Sequence, residues 1–324
     1  MIIAGIDEAG YGPLLGPLVV GCCAFEVSGV DDASGELPCL WKKLGKLVSR
    51  NRLRSGKKLH VNDSKAVYSP ALGLKELERS VLALLASMDD CGDGLHGFLD
   101  RVSEETTPQL ADYPWYAPAA DERFPLEQEP TPLRLFANGL RAEMARTGCR
   151  CVHLRGRVML ERPLNRLFNQ TRNKANALFS VAAVHLDRLL RTYGEQGLVI
   201  FCDRQGGRAH YGPLLRLMFD EWDLEILSEA DARSEYRLTR NRHPVRLIFC
   251  EKAEAQCLPV AVASMLSKYL REALMRRFNH WWRTQLPDIE PTAGYYNDGT
   301  RFLRDIEVKR RELGIQDEEL IRSR

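Results

Sequence analysis

The chain opens on an apolar run, residues 2–6, that ends in two adjacent carboxylates, Asp7 and Glu8. A turn rich in glycine and proline follows (Gly10, Gly12, Pro13, Gly16, Pro17), and a second apolar run extends over 18–27. This pattern predicts a buried strand, a glycine loop and a return strand. Residues 40–53 read as a basic helix broken at Ser55-Gly56, and residues 61–65 as a polar turn before a helix over 74–88. Between about 91 and 132 the periodicity dissolves among prolines and acids, which predicts a long insertion without a core of its own. Beyond it come a helix over 133–145 stopped by Gly148, a strand over 150–160, and a helix over 178–190 after the polar run 169–176. Residues 197–203 are continuously apolar until Asp203, as a strand covered on both faces would be. A polar glycine turn, 204–208, follows. Two more strands are expected over 224–228 and 245–249, the second running into Glu251 and Glu254. A long helix over 258–281, a turn over 291–298 and a charged helix from Thr300 close the chain. No internal repeat is evident.

Composition narrows the class. With 324 residues, 44% hydrophobic and 28% charged, the chain has the make-up of a soluble globular protein able to bury a large core. Its formal net charge of +2 says little about partners, but the distribution is uneven. A basic stretch runs through Lys42, Lys43, Lys46, Arg50, Arg52, Arg54, Lys57 and Lys58. An acidic one runs through Asp89, Asp90, Asp93, Asp100, Glu104, Glu105, Asp112, Asp121, Glu122, Glu127 and Glu129. Such separation points to one face for an anionic polymer, against the simpler reading of a solvated surface. The nine cysteines include no CxxC pair; Cys22, Cys23, Cys202 and Cys250 lie in apolar runs, where a reduced cysteine packs as a small hydrophobe. The odd count and the absence of a signal peptide predict a cytoplasmic location, and no stretch is long enough for a membrane span.

The candidate chemistry lies where strands end. Asp7 with Glu8, Asp203 and Glu254 each follow an apolar run, and in a mixed sheet these ends can converge. Four carboxylates make a hard, oxygen-rich site suited to Mg²⁺ or Mn²⁺. No His/Cys cluster with zinc spacing competes. Two such ions ~4 Å apart would clamp the attacking water and the leaving oxygen of a phosphodiester. The rival reading makes Asp203 a turn acid and Glu254 a helix N-terminal acid facing the dipole. Glu251 is a decoy three residues away, and His210 reads as a surface histidine. The second half of the long helix is basic and aromatic (Lys268, Arg271, Arg276, Arg277, Trp281, Trp282); its tryptophans are either stacking platforms or core residues.

Gly5-Ile6-Asp7-Glu8-Ala9-Gly10-Tyr11-Gly12-Pro13 with Gly16-Pro17 resembles the opening motif of the type 2 ribonucleases H, the ribonuclease HII and HIII group. Asn62-Asp63-Ser64-Lys65 is similar to the group's second motif, 198–203 to its third, and Lys252-Ala253-Glu254 with the small apolar run 260–266 to its fourth. Gly294-Tyr295 resembles the turn that carries a tyrosine in ribonuclease HII. The resemblance implies a single RNase H-like catalytic domain over 1–324: an α/β mixed sheet flanked by helices, with a C-terminal helical region from about 258. It implies metal-dependent endonucleolytic hydrolysis of the RNA strand of RNA–DNA hybrids or of ribonucleotide-containing duplexes, leaving 3′-hydroxyl and 5′-phosphate ends. Asp7, Glu8, Asp203 and Glu254 carry over as ligands of two Mg²⁺ or Mn²⁺ ions. Gly10, Tyr11 and Gly12 carry over as the loop that reads the 2′-hydroxyl, and Lys65 and Tyr295 as substrate contacts. A monomer is the expectation. Tyr11 stands where ribonuclease HII usually has arginine. Glu254, with 164–168 and 173–176, is closer to ribonuclease HIII, whose N-terminal substrate-binding domain is not expected here because the catalytic motif begins at residue 2. The alternatives are a nuclease of the same fold acting on other nucleic-acid structures, and a non-catalytic nucleic-acid-binding protein.

Overall fold

The computed structural model describes residues 1–30, 37–88, 91–103, 107–118 and 122–323. The loop read over 31–38 falls largely outside them, as do Asp89, Asp90, Glu104, Glu105 and Asp121 of the acidic stretch. Seven strands form one sheet: β1 (Ile2–Ala9), β2 (Leu18–Val27), β3 (Cys149–Met159), β4 (Leu198–Asp203), β5 (Asp223–Ala230), β6 (Arg233–Arg240) and β7 (His243–Cys250). Their spatial order is β3-β2-β1-β4-β7-β6-β5. The central three, β1, β4 and β7, are parallel, and the outer strands pair antiparallel on either side. The expected mixed α/β sheet flanked by helices is present.

The longer helices are α1 (Lys75–Met88), α2 (Gly94–Ser103), α3 (Pro130–Thr147), α4 (Glu161–Thr171), α5 (Lys174–Tyr193), α6 (Leu258–Gln285) and α7 (Tyr296–Glu312), with a shorter helix at Gly212–Met218 and several single-turn pieces besides. Two apolar layers cover the sheet. Ile3, Val19, Cys23, Phe25, Val199, Phe201 and Ile248 meet α6 and the helices behind it. Ile2, Ala4, Ile6, Val20, Cys22, Ile200 and Phe249 meet α5. The alternation along each strand is the period of two that separates the faces of a pleated sheet.

Helix α6 crosses the hairpin of β1 and β2 unusually closely. A Cβ on Gly5 would run into the Val260 amide nitrogen, and one on Gly21 into the Ala263 carbonyl. Glycine at these two positions, opposite the small residues of α6, lets the backbones touch.

Several elements differ from the sequence expectation. The basic helix read over 40–53 is helical only over Leu40–Lys43. The chain then turns and pairs Val48–Ser49 with Leu59–His60, because Gly45 and the apolar Val48 suit a turn and a short strand better than a continued helix. The charged strand β6 escaped notice because only Ser234, Tyr236 and Leu238 face inward.

The stretch read as patternless, 91–132, holds α2 and a 3-10 turn at Pro114–Tyr116 that buries Trp115 and Tyr116. Its irregular backbone is satisfied from the core. The buried Glu78 carboxylate accepts the amides of Leu126, Glu127 and Gln128 at 2.6, 2.7 and 2.7 Å and the Tyr269 hydroxyl at 2.5 Å. A buried acid costs little when hydrogen bonds fill its lone pairs. Arg277 of α6 grips the same segment through Glu122 at 2.7 and 2.6 Å and the Tyr116 carbonyl at 3.0 Å.

Candidate active site

The register of the parallel strands brings the acids to one level. Ile6 lies opposite Cys202, and Cys202 opposite Phe249. The next residues, Asp7 and Asp203, therefore sit side by side at the carboxyl ends of β1 and β4. They share strand parity with Ile3 and Phe201, on the face toward α6. Glu254 arrives from the single turn Ala253–Gln256 between β7 and α6. Crevices at the carboxyl ends of parallel strands are where α/β sheets place their chemistry.

Helix α6 clamps this corner. Ser264 lies beside the Asp7 carboxylate and partly offsets the rise that burial causes there, and Ser267 Oγ donates to the Asp7 carbonyl at 3.0 Å. Ser264 also receives the Ser64 amide at 3.3 Å and donates to its hydroxyl at 3.1 Å, which docks the turn carrying Asp63 and Lys65. Asp63 caps that turn through the Lys65 amide at 3.0 Å. Asp203 Oδ1 accepts the Ala253 amide at 3.2 Å, joining the end of β4 to the Glu254 turn. Asp63, Ser264 and Ser267 were not singled out from the sequence, although 62–65 and 260–266 had been marked as motifs.

Electrostatically the acids are linked through Asp203. Burial, then the charges of Glu8 and Asp203, holds the Asp7 carboxyl well above the usual range. Burial and then Asp203 push Glu8 up to about 7, with Lys65 opposing. Asp203 is raised by burial, and Glu254 by burial and then by the charges of Asp203 and Asp63. Carboxylates so placed repel one another and lose hydration, which favours the neutral form unless a cation is supplied. Glu8 Oε2 is buried with no hydrogen-bond partner. Repulsion and an orphaned carboxylate oxygen are what a divalent ion relieves, and an all-oxygen donor set suits Mg²⁺ or Mn²⁺. The side chains as they stand do not form a closed coordination sphere. Among the described residues, the group that brings three ligand atoms within 4.8 Å of one another is Cys22, His153 and His185, not the acids. These three residues lie far apart in sequence and follow no zinc spacing, so the expectation that no His/Cys cluster with zinc spacing competes is untouched by them.

The glycine loop packs against the far end of the chain. Gly10 has φ +88°, and a Cβ there would meet the Pro17 carbonyl and Arg271. Gly12 has open space around it. The Gly294 carbonyl accepts the Leu14 and Leu15 amides at 2.7 and 3.1 Å. Arg271 donates to the Leu15 and Ala293 carbonyls at 3.3 and 2.8 Å, and its guanidinium lies 5.8 Å from the centre of the exposed Tyr295 ring. Arg322 donates to the Gly10 carbonyl and, at 3.1 Å, to the Tyr11 carbonyl. Tyr295 is thus placed beside the loop. Tyr11 lies near Glu8 and Arg208, whose charges act on its hydroxyl. Lys65 is exposed and within electrostatic reach of Glu8, Asp203 and Glu254.

The decoys separate from the cluster. Glu251 pairs with Arg204 at 2.5 Å, and exposed His210 pairs with Glu229 at 2.8 Å. The basic half of α6 is not a free cationic surface. Arg271 and Arg277 are buried in the contacts above, and Lys268 pairs with Glu272 at 2.5 Å. Trp282 is fully buried, and Trp281 packs on Trp115 with ring centres 5.8 Å apart. Trp282 is a core residue, and Trp281 lies half-buried against the core.

No family model and no curated protein matches the chain. Among solved structures it is similar to a chain of the PCNA:RNase HII complex from Archaeoglobus fulgidus, with 15% identity, 100% of this chain and 95% of that chain covered, and a TM-score of 0.41. It is also similar to Aquifex aeolicus RNase H3, with 14% identity, 98% and 70% covered and a TM-score of 0.42. A third is Bst-RNase HIII in complex with Mn²⁺, with 15% identity, 99% and 66% covered and a TM-score of 0.46. These are likenesses of overall course, and the reading of the site rests on the residues described above. No helix among the described residues is long and apolar enough to cross a membrane.

Proposed function

We propose that the chain is a type 2 ribonuclease H, a metal-dependent endonuclease that hydrolyses the RNA strand of RNA–DNA hybrids to leave 3′-hydroxyl and 5′-phosphate ends. What supports this reading is that Asp7 with Glu8, Asp203 and Glu254, from three separate segments, are linked by charge through Asp203, with Lys65 acting on Glu8, Asp203 and Glu254. The motif resemblance supplies the substrate class. Asp7, Glu8, Asp203 and Glu254 would hold Mg²⁺ or Mn²⁺. Such ions supply a hydroxide-like nucleophile at neutral pH and charge stabilisation of the attacking and leaving oxygens.

The chain's own groups do the positioning. Ser264, Ser267 and the Ala253 amide fix Asp7 and Asp203 against α6 and the Glu254 turn. Lys65 sits on the exposed side of the acids, where it orients a phosphate. Arg322, Arg271 and Gly294 hold the loop 10–16 in one conformation, so that a 2′-hydroxyl meets a fixed backbone. Tyr295 flanks the loop on a turn bound to Arg271 and receives the sugar–phosphate next to the cut.

The test is cleavage of three labelled duplexes with Mg²⁺ and with Mn²⁺: one with a run of ribonucleotides, one with a single ribonucleotide in DNA, and one of DNA alone. The reading expects metal-dependent cutting of the first and none of the third. Cutting of all three would make the protein a general nuclease. Binding of all three without any cutting would make it a non-catalytic binder.

A further inference from the structure

Beneath the opposite face of the same hairpin lies a second cluster of chemically different character. Cys22 on β2, His153 on β3 and His185 on α5 each place a ligand atom within 4.8 Å of the other two. Cys22 and His185 are buried. His153 is half-buried on the edge strand of the sheet, yet its Nε2 is shut off from solvent and has no hydrogen-bond partner. An unpaired buried imidazole nitrogen is a cost that native folds seldom leave uncompensated. His185 contacts the Val20 carbonyl through Nε2 at 2.9 Å, which fixes the orientation of its ring. Burial, helped by His185, Arg155 and Arg188, lowers His153 to about 3, so near neutral pH this ring carries no charge and can act as a ligand. Burial raises the Cys22 thiol, against the pull of Arg188.

We propose that Cys22, His153 and His185 form a zinc site separate from the acid cluster. One sulfur and two imidazole nitrogens are a donor set zinc accepts, with the fourth tetrahedral position left for water. A thiolate with imidazoles suits a borderline-soft ion and discriminates against the Mg²⁺ or Mn²⁺ that carboxylates prefer.

On binding, the Cys22 S–H bond breaks, its proton leaves to solvent and the sulfur bonds the ion. His153 and His185 each donate a nitrogen lone pair and release no proton. The net gain is one positive charge. Arg155 and Arg188 oppose that gain, with Cys151 and Tyr193 also close by. The Cys22 thiolate offsets half the charge of the ion, which is why sulfur is needed at this position. The bound ion would staple β2, the edge strand β3 and α5 together.

Cobalt(II) is the probe, since it takes zinc's tetrahedral geometry and is coloured. The full chain is stripped with a chelator and titrated with Co²⁺. The expected result is one equivalent bound with a near-ultraviolet thiolate-to-cobalt band, displaced by Zn²⁺. The band should vanish in Cys22→Ala, and affinity should fall about tenfold or more in His153→Gln. Cobalt held by the acids gives no thiolate band, so the two sites are read separately. Absence of the band in the wild-type chain, or its survival in folded Cys22→Ala, overturns the proposal. Should Cys22→Ala fail to fold, an unchanged titration of His153→Gln, on the edge strand, overturns it equally.

Discussion

The hairpin of β1 and β2 carries two clusters that differ in every respect except their strands. At the exit of β1, Asp7 on the α6 side and its neighbour Glu8 join Asp203 and Glu254 in an acidic group beside exposed Lys65. On the α5 face, Cys22 lies opposite Ile6 and meets His153 and His185 in the interior. The first is all oxygen, mutually repelling and at the rim. The second is sulfur and nitrogen, closely gathered and sealed by α5. An exposed edge and a glycine-lined approach suit a site that handles a large anionic substrate. A closed pocket of soft ligands suits an ion that stays.

The largest effect expected from breaking this contrast is at the acids. Asp203→Asn should lower the cleavage rate roughly 10³-fold, the several kcal/mol that metal charge stabilisation supplies, while hybrid binding and the cobalt–thiolate band persist. Conversely, Cys22→Ala should remove the band and leave hybrid cleavage by the folded protein within about twofold. Parallel loss of both properties in either variant would merge the two sites into one.

Glu254→Ala should cost nearly as much as Asp203→Asn, whereas Glu251→Ala, which loses only a partly exposed pair with Arg204, should change the rate by about twofold or less. Rate measurements on the pair decide between them, and the reverse order would move the fourth acid by one helical turn. Arg322→Ala frees the Gly10 and Tyr11 carbonyls and should reduce kcat/KM about tenfold through KM, with thermal stability falling by the roughly 1.5–3 kcal/mol of a charged hydrogen bond. An unchanged KM would mean that the loop is held without it.

The smallest effect is on pH dependence. Glu8 binds its proton more tightly folded than unfolded, moving from 4.5 to about 7. The stability it contributes is therefore full below about 4.5 and is lost as pH rises through about 7. Melting of the metal-free protein should show this decline, diminished in Glu8→Gln, and Mn²⁺ should raise Tm more above about pH 7.5 than below about pH 5. Equal Mn²⁺ shifts at both pH values would remove Glu8 from the cation-binding group.

What could be read in advance follows from distance along the chain. The strand–acid–glycine pattern of residues 2–17 is local, so β1, its carboxylates and the return strand were legible from apolar runs and turn residues alone. Asp203 was legible as a strand-end acid, whereas Glu254 follows its strand by four residues and sits in the first turn of a short helix, as the helix N-terminal reading expects. Arg322 on Gly10 joins residues at opposite ends of the chain, and a lone arginine near the terminus carries no local sign of that partner. Within 91–132, α2 does carry Leu95, Phe98, Leu99 and Val102 at helical spacing, a signal masked by the surrounding glycines, prolines and acids, whereas 126–128 take their order from tertiary contacts: Glu78 supplies the acceptors that a helix or sheet would otherwise provide. Cys22, His153 and His185 had been read as one small hydrophobe and two unremarked histidines, since no spacing connects β2, β3 and α5 until the sheet forms.

The central claim is that the four acids are one metal-dependent hydrolytic site. Its most direct test is single-turnover cleavage of an end-labelled RNA–DNA hybrid in Mn²⁺ by the wild-type chain and by Asp203→Asn, with the product ends identified. Cutting of the RNA strand to 3′-hydroxyl and 5′-phosphate ends, lost in the variant while it still binds the hybrid, is the predicted result. Cutting that survives Asp203→Asn, or that proceeds equally in excess chelator, would contradict it.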